Sequence, residues 1–525
     1  MLRIVIIERI KALPEKFLYR QWNQLKKDTQ VVWAVLSTFA IGLLAHMYKF
    51  TNHIPNWDSL MDYYYPTHNM THQGRQFQFL SAAFRAFKDI PWVIGLLSLL
   101  YLSILVVLLV KLFEIRGKLS IAFIAALVVT SPPVTSTLGY MFTADCYFFA
   151  GLMAVLAVYL ARKKRFGWIA GAVLLGVGIG IYQAYLSLAI VLILFLTIRE
   201  ILLAGDGKLG GDFWKQILKY LGMGILGLAF YKASLEIMSR VEQIALVNHH
   251  GLGSIHFPSM SEFIHATVQS LVDTVYYYVG SVSRLSTYGI ASAVCLTMSV
   301  LFCLILVCKK EIYKHFSHLF LLAVCIFMIP CACHCFYFVT NEVEYYALMQ
   351  FPLVLTFVFL FWEYEQREVQ YKAVQWAVVL ASGILVYVLI ISANVAYRVQ
   401  TLSYEKTYAM MDRMIARMET LPDYQNADKI AVIGSLPGTD VYAYGDSPVL
   451  AGYADSYLVS HQKHVVSMLD EYYGIKLEGV SDQTIEELMK LPEVENMAIW
   501  PDAGSVLQVD DIIVVRFSEE AMQLN

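Results

Sequence analysis

Apolar blocks of about twenty residues alternate with short polar segments along the first 395 residues of the chain. An α-helix rises 1.5 Å per residue, so about twenty apolar residues cross a hydrocarbon core of about 30 Å. The pattern predicts eleven membrane spans, at residues 31–49, 90–112, 119–135, 145–161, 167–182, 184–203, 219–236, 286–308, 317–339, 345–362 and 373–395.

The stretch 167–203 is too long for one span, because a single helix over it would extend about 55 Å. We therefore divide it at Tyr182-Gln183. With this division and a cytoplasmic N-terminus, the predicted inner segments and the span ends next to them hold 23 Lys and Arg residues, and the outer loops counted in the same way hold 7. Since cytoplasmic loops are enriched in Lys and Arg, the charge pattern favours this topology, and it places the region after residue 395 outside the cytoplasm.

The two ends of the chain differ from the span region. Basic residues spread over 1–30 without a signal-peptide cleavage pattern predict a cytoplasmic leader. Residues 396–525 have the composition of a soluble domain, with helical spacing over 404–420, a short helix at 483–491 and buried strands at 429–434 and 511–517. They predict a small extracytoplasmic α/β domain that acts as a structural or substrate-positioning cap.

Composition agrees with a membrane protein. Hydrophobic residues make up 58% of the chain and charged residues 15%, against about a quarter charged in soluble domains. The predicted fold is a polytopic α-helical membrane protein with about eleven transmembrane helices over residues 31–395, carrying outer loops at 50–89 and 237–285. The net charge of -3 disfavours a nucleic-acid partner.

Polar residues concentrate in the first outer loop, 50–89. Asp58 and Asp62 are four residues apart, which on a helix places both carboxylates on one face. One could act as general base for a hydroxyl nucleophile while the other holds the acceptor or a metal. His68, His72 and Arg75 follow, and Arg can bind a phosphate through two parallel hydrogen bonds. The alternative for all five is a solvated polar loop.

The next segment repeats apolar residues at helical spacing, at Phe77, Leu80, Phe84 and Phe87. Arg85 and Lys88 fall on the other side. This pattern predicts a helix in the membrane interface that presents phosphate-binding cations at headgroup depth. A plain connector to the next span is the alternative.

Two further polar positions lie at predicted outer span ends. Asp145 follows the Pro132-Pro133 break, and a carboxylate at that depth is costly unless it is paired or functional. It is either a helix cap or a site residue. Tyr182-Gln183 faces the same side as the aspartate loop, as a substrate-binding turn or as a polar tight turn.

These features occur in an order that resembles the type II Gtr glucosyltransferase family of bacteria, polytopic enzymes of the GT-C class. The residues that carry the resemblance are Asp58 and Asp62, Gly74-Arg75, Pro132-Pro133 with Asp145, Tyr182-Gln183-Ala184, and Tyr404 with Thr407 ahead of the KIAVIG strand. The resemblance covers nearly the whole chain. The family commonly has adjacent acids in the first loop, whereas Asp58 and Asp62 are separated.

The resemblance implies a plasma-membrane enzyme that moves a sugar, typically glucose, from a polyprenyl-phosphate carrier to a cell-surface glycan on the outer face. In this scheme Asp58 deprotonates the acceptor hydroxyl and Asp62 or Asp145 orients it. Arg75, with Arg85 or Lys88 and His72, binds the departing phosphate. His68, Tyr182 and Gln183 are the candidate substrate contacts, and inversion at the anomeric carbon is expected.

Other functions stay open at this stage. A flippase for a lipid-linked sugar could use the same cations, although the acids lie at the membrane edge and not within the spans. A polysaccharide polymerase or a membrane acyltransferase are further alternatives. The acidic loop could hold Mg²⁺ or Mn²⁺ or work without a metal. The acceptor could be a wall polysaccharide, teichoic acid or lipopolysaccharide.

Overall fold

The computed structural model describes residues 28–61, 70–205, 207–246, 256–280, 286–340, 342–436, 450, 452–453, 457–459 and 461–519, with Tyr19 and Asn23. The helices of the first part are α1 Thr29–Thr51, α2 Pro91–Phe113, α3 Lys118–Thr130, α4 Pro132–Gly139, α5 Met141–Lys163, α6 Gly167–Ile179, α7 Tyr185–Ala204, α8 Gly211–Glu242, α9 Met260–Val279, α10 Thr287–Lys309, α11 Phe316–Cys333, α12 Leu355–Tyr364 and α13 Lys372–Met418.

Ten helical segments of the described residues are long and apolar enough to cross a membrane. The prediction of a polytopic helical membrane protein is confirmed. The third segment is α3 and α4 in series, Lys118–Gly139, interrupted where Pro132 occupies the first turn of α4. A second composite segment, Ala347–Tyr364, consists of a 3-10 helix, Ala347–Val354, followed by α12.

The predicted fifth span is shorter than expected. Helix α6 has 13 residues and extends about 20 Å, less than the hydrocarbon core. It packs closely on α8, where a Cβ added to Gly176 would lie 2.8 Å from the Gly227 carbonyl oxygen. Eleven full-length spans are therefore an overestimate for the described residues.

The division of 167–203 into two helices is nevertheless confirmed. Helix α6 ends at Ile179 and α7 begins at Tyr185. Arg162 near the end of α5 pairs with Glu200 near the end of α7. Because α5 and α7 end at the same side of the bundle, α6 must run back between them.

Ion pairs gather the predicted inner segments at one end of the bundle, here called the basic end. They join Lys111 to Asp28 at 2.7 Å, Arg199 to Glu114 at 2.9 Å, and Lys310 to Glu368 at 3.6 Å. Residues 53–61 and 70–89 lie at the opposite end, the loop end. The grouping agrees with the charge pattern, and the assignment of the loop end to the cell exterior stays a prediction.

Helix α13 connects the bundle to the C-terminal domain. The predicted span 373–395 and the predicted helix 404–420 form one continuous helix of 47 residues, about 70 Å long. No Gly or Pro occurs between Gly383 and Met418 to interrupt it. Its first half packs in the membrane core through Val378, Leu385 and Leu389.

The C-terminal domain contains a four-stranded sheet with the order β2-β1-β4-β3. Its central strands coincide with the two predicted ones. Strand β1 pairs in parallel with β2 and β4, and β3 pairs antiparallel with β4. The elements are β1 Lys429–Ile433, α14 Gln462–Tyr473, β2 Glu478–Gly479, α15 Asp482–Leu488, α16 Pro492–Glu495, β3 Val506–Val509 and β4 Ile512–Arg516.

Candidate active site

The first acidic residue of the outer loop, Asp58, lies in a tight turn between α1 and a 3-10 helix, Ser59–Met61. The turn is closed by reciprocal hydrogen bonds. The Ser59 amide donates to Asn56 Oδ1 at 2.9 Å, and the Asn56 amide donates to Ser59 Oγ at 3.1 Å. Asp58 is thus placed by a turn and not by the helix that its spacing to Asp62 suggested. Asp62 and His68 lie outside the described residues.

The Asp58 side chain is accessible to solvent but has protein on several sides. Its neighbour Trp57 contacts the Tyr140 ring edge-on, with centroids 6.4 Å apart. Loss of solvation raises the pKa of Asp58, and the positive charge of Arg75 partly opposes this rise. The same carboxylate contributes to the raised pKa of Tyr346, which is due mainly to the hydrogen bond from Tyr346 to Glu344. Asp58 therefore lies near enough to Arg75 and Tyr346 for its charge to interact with both groups.

Arg75 is held by two stacked tyrosine rings. Its Nη1 donates to the Tyr147 hydroxyl at 3.0 Å, and its guanidinium carbon lies 5.2 Å from the centroid of Tyr182. The rings of Tyr147 and Tyr182 stack with centroids 4.2 Å apart. The ion pairs between described residues do not include Arg75, and within that part of the chain its buried Nε has no hydrogen-bond partner.

The backbone next to Arg75 is fixed by the turn between α6 and α7. Gly74 has φ 75°, a left-handed conformation that favours glycine. Its carbonyl accepts hydrogen bonds from Gln183 Nε2 at 3.1 Å and from the Tyr231 hydroxyl at 3.2 Å. Gln183 also donates to the Gln73 carbonyl at 2.9 Å. The predicted substrate contacts Tyr182 and Gln183 thus contact Arg75 and its loop.

The second arginine of the loop, Arg85, is buried and paired. Its Nε lies 3.3 Å from Asp145 Oδ1, and its Nη2 donates to the Phe142 carbonyl at 2.6 Å. Ser81 Oγ donates to the other oxygen of Asp145 at 2.8 Å. Asp145 and Arg85 therefore neutralise each other, and Asp145 has a partner that the sequence did not predict.

The predicted interface helix is shorter than its pattern suggested. One α-helical turn, Phe79–Ala82, continues into the 3-10 turn Ala83–Arg85. Phe84 and Phe87 are exposed, as expected for a membrane-facing surface, but Arg85 points inward. Lys88 is exposed, and its carbonyl accepts from Arg85 Nη1 at 2.6 Å. Of the two cations, only Lys88 remains exposed.

His72 lies beside Arg75, and burial together with the charge of Arg75 lowers its pKa. The lowered pKa favours the neutral imidazole, which can donate or accept a hydrogen bond. Among the described residues no group of three or more His, Cys, Asp or Glu side chains could hold a metal ion.

Sequence reasoning missed the tyrosines of the site. Tyr147, Tyr231 and Tyr346 come from three separate parts of the chain, and tyrosine occurs 34 times in this sequence. No spacing singles these three out. Only the turn Tyr182-Gln183 carried a signal, because two polar residues interrupted a long apolar stretch.

A family model described as Glucosyl transferase GtrII matches residues 47–362, more than half of the chain. The matched range includes Asp58, Arg75, Asp145 and Tyr182 and ends before α13. No curated protein and no solved structure matches the chain.

Proposed function

The chain belongs to the GtrII glucosyl transferase family, and on this premise we propose that it transfers glucose from a polyprenyl-phosphate carrier to a cell-surface glycan. The reaction takes place at the loop end, on the outer face of the bacterial plasma membrane. One observation carries the proposal: the Asp58 carboxylate lies within electrostatic reach of Arg75, whose guanidinium has no ion-pair partner among the described residues. A base and an unneutralised cation are what this transfer needs.

Asp58 is the proposed general base. The acceptor hydroxyl oxygen bonds to the anomeric carbon as the bond from that carbon to the phosphate oxygen breaks. The hydroxyl proton moves to Asp58, and the bonding pair leaves with the polyprenyl phosphate. A single displacement of this kind inverts the anomeric carbon. The raised pKa of Asp58 supports the role, because a stronger base takes the proton more readily.

Arg75 is the proposed partner of the donor phosphate. An arginine in a partly buried, aromatic setting binds phosphate more strongly than one in water, because fewer water molecules compete for its donors. The hydrogen bond to Tyr147 and the contact with Tyr182 hold the guanidinium plane in one orientation. Charge that develops on the leaving oxygen would be stabilised without reorganisation of the site.

The other predicted residues take different places in this scheme. Lys88 is the proposed cation at headgroup depth, and His72 a neutral hydrogen-bonding group near the phosphate. Arg85 and Asp145 act as a structural pair behind the loop. Asp62 and His68 keep their predicted roles in orienting substrate. Dependence on Mg²⁺ or Mn²⁺ is tested by a chelator followed by metal add-back.

The test uses purified full-length protein in detergent, synthetic polyprenyl-phosphate glucose labelled in the sugar, and surface polysaccharide from cells that lack this enzyme. We expect the wild type to label the polysaccharide and release polyprenyl phosphate. Asp58→Asn should abolish both signals while the variant keeps its folding. Arg240→Ala is the control, since Arg240 is exposed and pairs with Glu236 four residues before it.

Full turnover by Asp58→Asn would remove Asp58 from the base role. A wild type that releases no polyprenyl phosphate, but moves the labelled lipid between leaflets of proteoliposomes, would replace the transferase proposal with the flippase. A product with a growing repeat chain would indicate a polymerase.

A further inference from the structure

The turn that carries Asp58 is anchored in the C-terminal domain. Leu60, two residues after Asp58, is 1% exposed and belongs to the apolar core formed by α13, α14 and the sheet. Every other described member of that core lies after residue 403. A residue of the first outer loop therefore completes the hydrophobic core of a domain more than 340 residues later in the chain.

A second anchor lies on the other side of Asp58. Lys49, fully buried at the end of α1, donates to the Ile54 carbonyl at 2.8 Å and to Gln400 Oε1 at 2.6 Å. Gln400 lies on α13, and its amide nitrogen is within 3.3 Å of the Gly139 carbonyl and 3.4 Å of the Gly452 carbonyl. The segment from Ile54 to Leu60 is thus held at both ends by partners that include α13.

Between these anchors the turn has little freedom. The reciprocal bonds of Asn56 and Ser59 close it, and the ring of Trp57 rests against Tyr140. Displacement of a reacting group by about 1 Å can lower a rate by about a hundredfold. The anchors on either side of Asp58 therefore fix the backbone from which its carboxylate extends.

We propose that Leu60 is a positioning residue through which the C-terminal domain holds Asp58 at the reacting centre. The inference rests on the proposed function. It gives the domain, which lies outside the matched family range, a direct part in the reaction.

Leu60→Ala and Leu488→Ala form a matched pair. Leu488 is 5% exposed in the same domain but packs in a separate core on the other side of the sheet, with Ala431, Ile433 and Val494. Both variants remove the same atoms from a buried position. We expect Leu60→Ala to lower kcat about tenfold or more, and Leu488→Ala to lower it less than about threefold. Leu60→Met, which nearly conserves volume, should restore most of the activity.

Two readouts separate positioning from general destabilisation. In Leu60→Ala, amide hydrogen exchange should accelerate more in residues 53–61 than in β1 or β4. The acid limb of the kcat profile should move to lower pH, because a released Asp58 regains solvation and its raised pKa falls. Leu488→Ala should leave the exchange of residues 53–61 and the acid limb of the kcat profile unchanged.

Equal losses of kcat in the two alanine variants, with unchanged exchange in 53–61, would overturn the proposal. Faster exchange in that segment with full activity would also overturn it, since the anchor would then be dispensable. If the wild type transfers no sugar, the proposed function fails, while the exchange comparison still decides whether Leu60 anchors the turn.

Discussion

Arg75 and Arg85 lie ten residues apart in one loop, yet they have opposite surroundings. Arg85 is enclosed with Asp145, which pairs with its charge, and with two backbone carbonyls that accept hydrogen bonds from its guanidinium. Ser81 donates to the same Asp145 carboxylate. Arg75 lies against the Tyr147 and Tyr182 rings, which orient a guanidinium without neutralising it. The tertiary partner of a cation therefore decides whether its charge is available to a substrate.

The largest expected effect comes from breaking the Arg85 pair. Asp145→Ala leaves the Arg85 charge buried without a carboxylate, which typically costs about 3–5 kcal/mol. We expect that loss in the free energy of unfolding, measured by reversible SDS unfolding in mixed micelles. The double variant Arg85→Met/Asp145→Leu should recover much of it. Normal stability with lost glucose transfer would instead favour the site role that the sequence left open for Asp145.

Arg75→Ala should have the converse effect, with little change in stability and a large loss of turnover. Removal of one preorganised group that stabilises developing charge lowers kcat by about a hundred- to a thousandfold. The measurement is the initial rate of polyprenyl phosphate release at saturating donor. Arg75→Lys should recover only part of the rate, because an ammonium lacks the planar pair of donors. A rate within twofold of wild type would exclude Arg75 from the phosphate site.

The smallest expected effect is on the pH dependence of kcat. Asp58 works as a base only when ionised, so activity falls as the pH drops through its raised pKa. The Arg75 charge lowers that pKa, and Arg75→Gln should therefore move the acid limb of the residual kcat profile to higher pH. The Arg85→Met/Asp145→Leu variant removes a pair with no net charge and should leave the limb in place. If the acid limb moved equally in both variants, Arg75 would have no greater influence than Arg85 on the pKa of Asp58.

Much of the fold could be predicted from the hydrophobic pattern alone. Block length and charge placed the spans, and the division at Tyr182-Gln183 was confirmed by where α5 and α7 end. The errors occurred where length or continuity depends on packing. Helix α6 ends at Ile179, three residues before the predicted end of its span, and α13 continues beyond its predicted span because no Gly or Pro between Gly383 and Met418 interrupts it.

The candidate site could be predicted less completely from the sequence than the fold. The sequence identified the loop and the residue types, including Asp58 and Arg75. It could not show that Arg75 and Arg85 have different surroundings, since the partners of neither side chain can be read from its local sequence. The partners of Arg75 are 72 residues or more away, and those of Arg85 include Asp145, 60 residues away.

Hydrophobic pattern and composition alone predict the membrane environment, the order of the helices and the loop in which polar residues concentrate. These properties depend on composition and spacing within windows of about twenty residues, over which burial in lipid is decided. Only the tertiary structure decided which arginine is neutralised, which turn orients the other, and which domain anchors Asp58 through Leu60. Those outcomes depend on contacts between distant segments, and local pattern carries no record of which segments will meet.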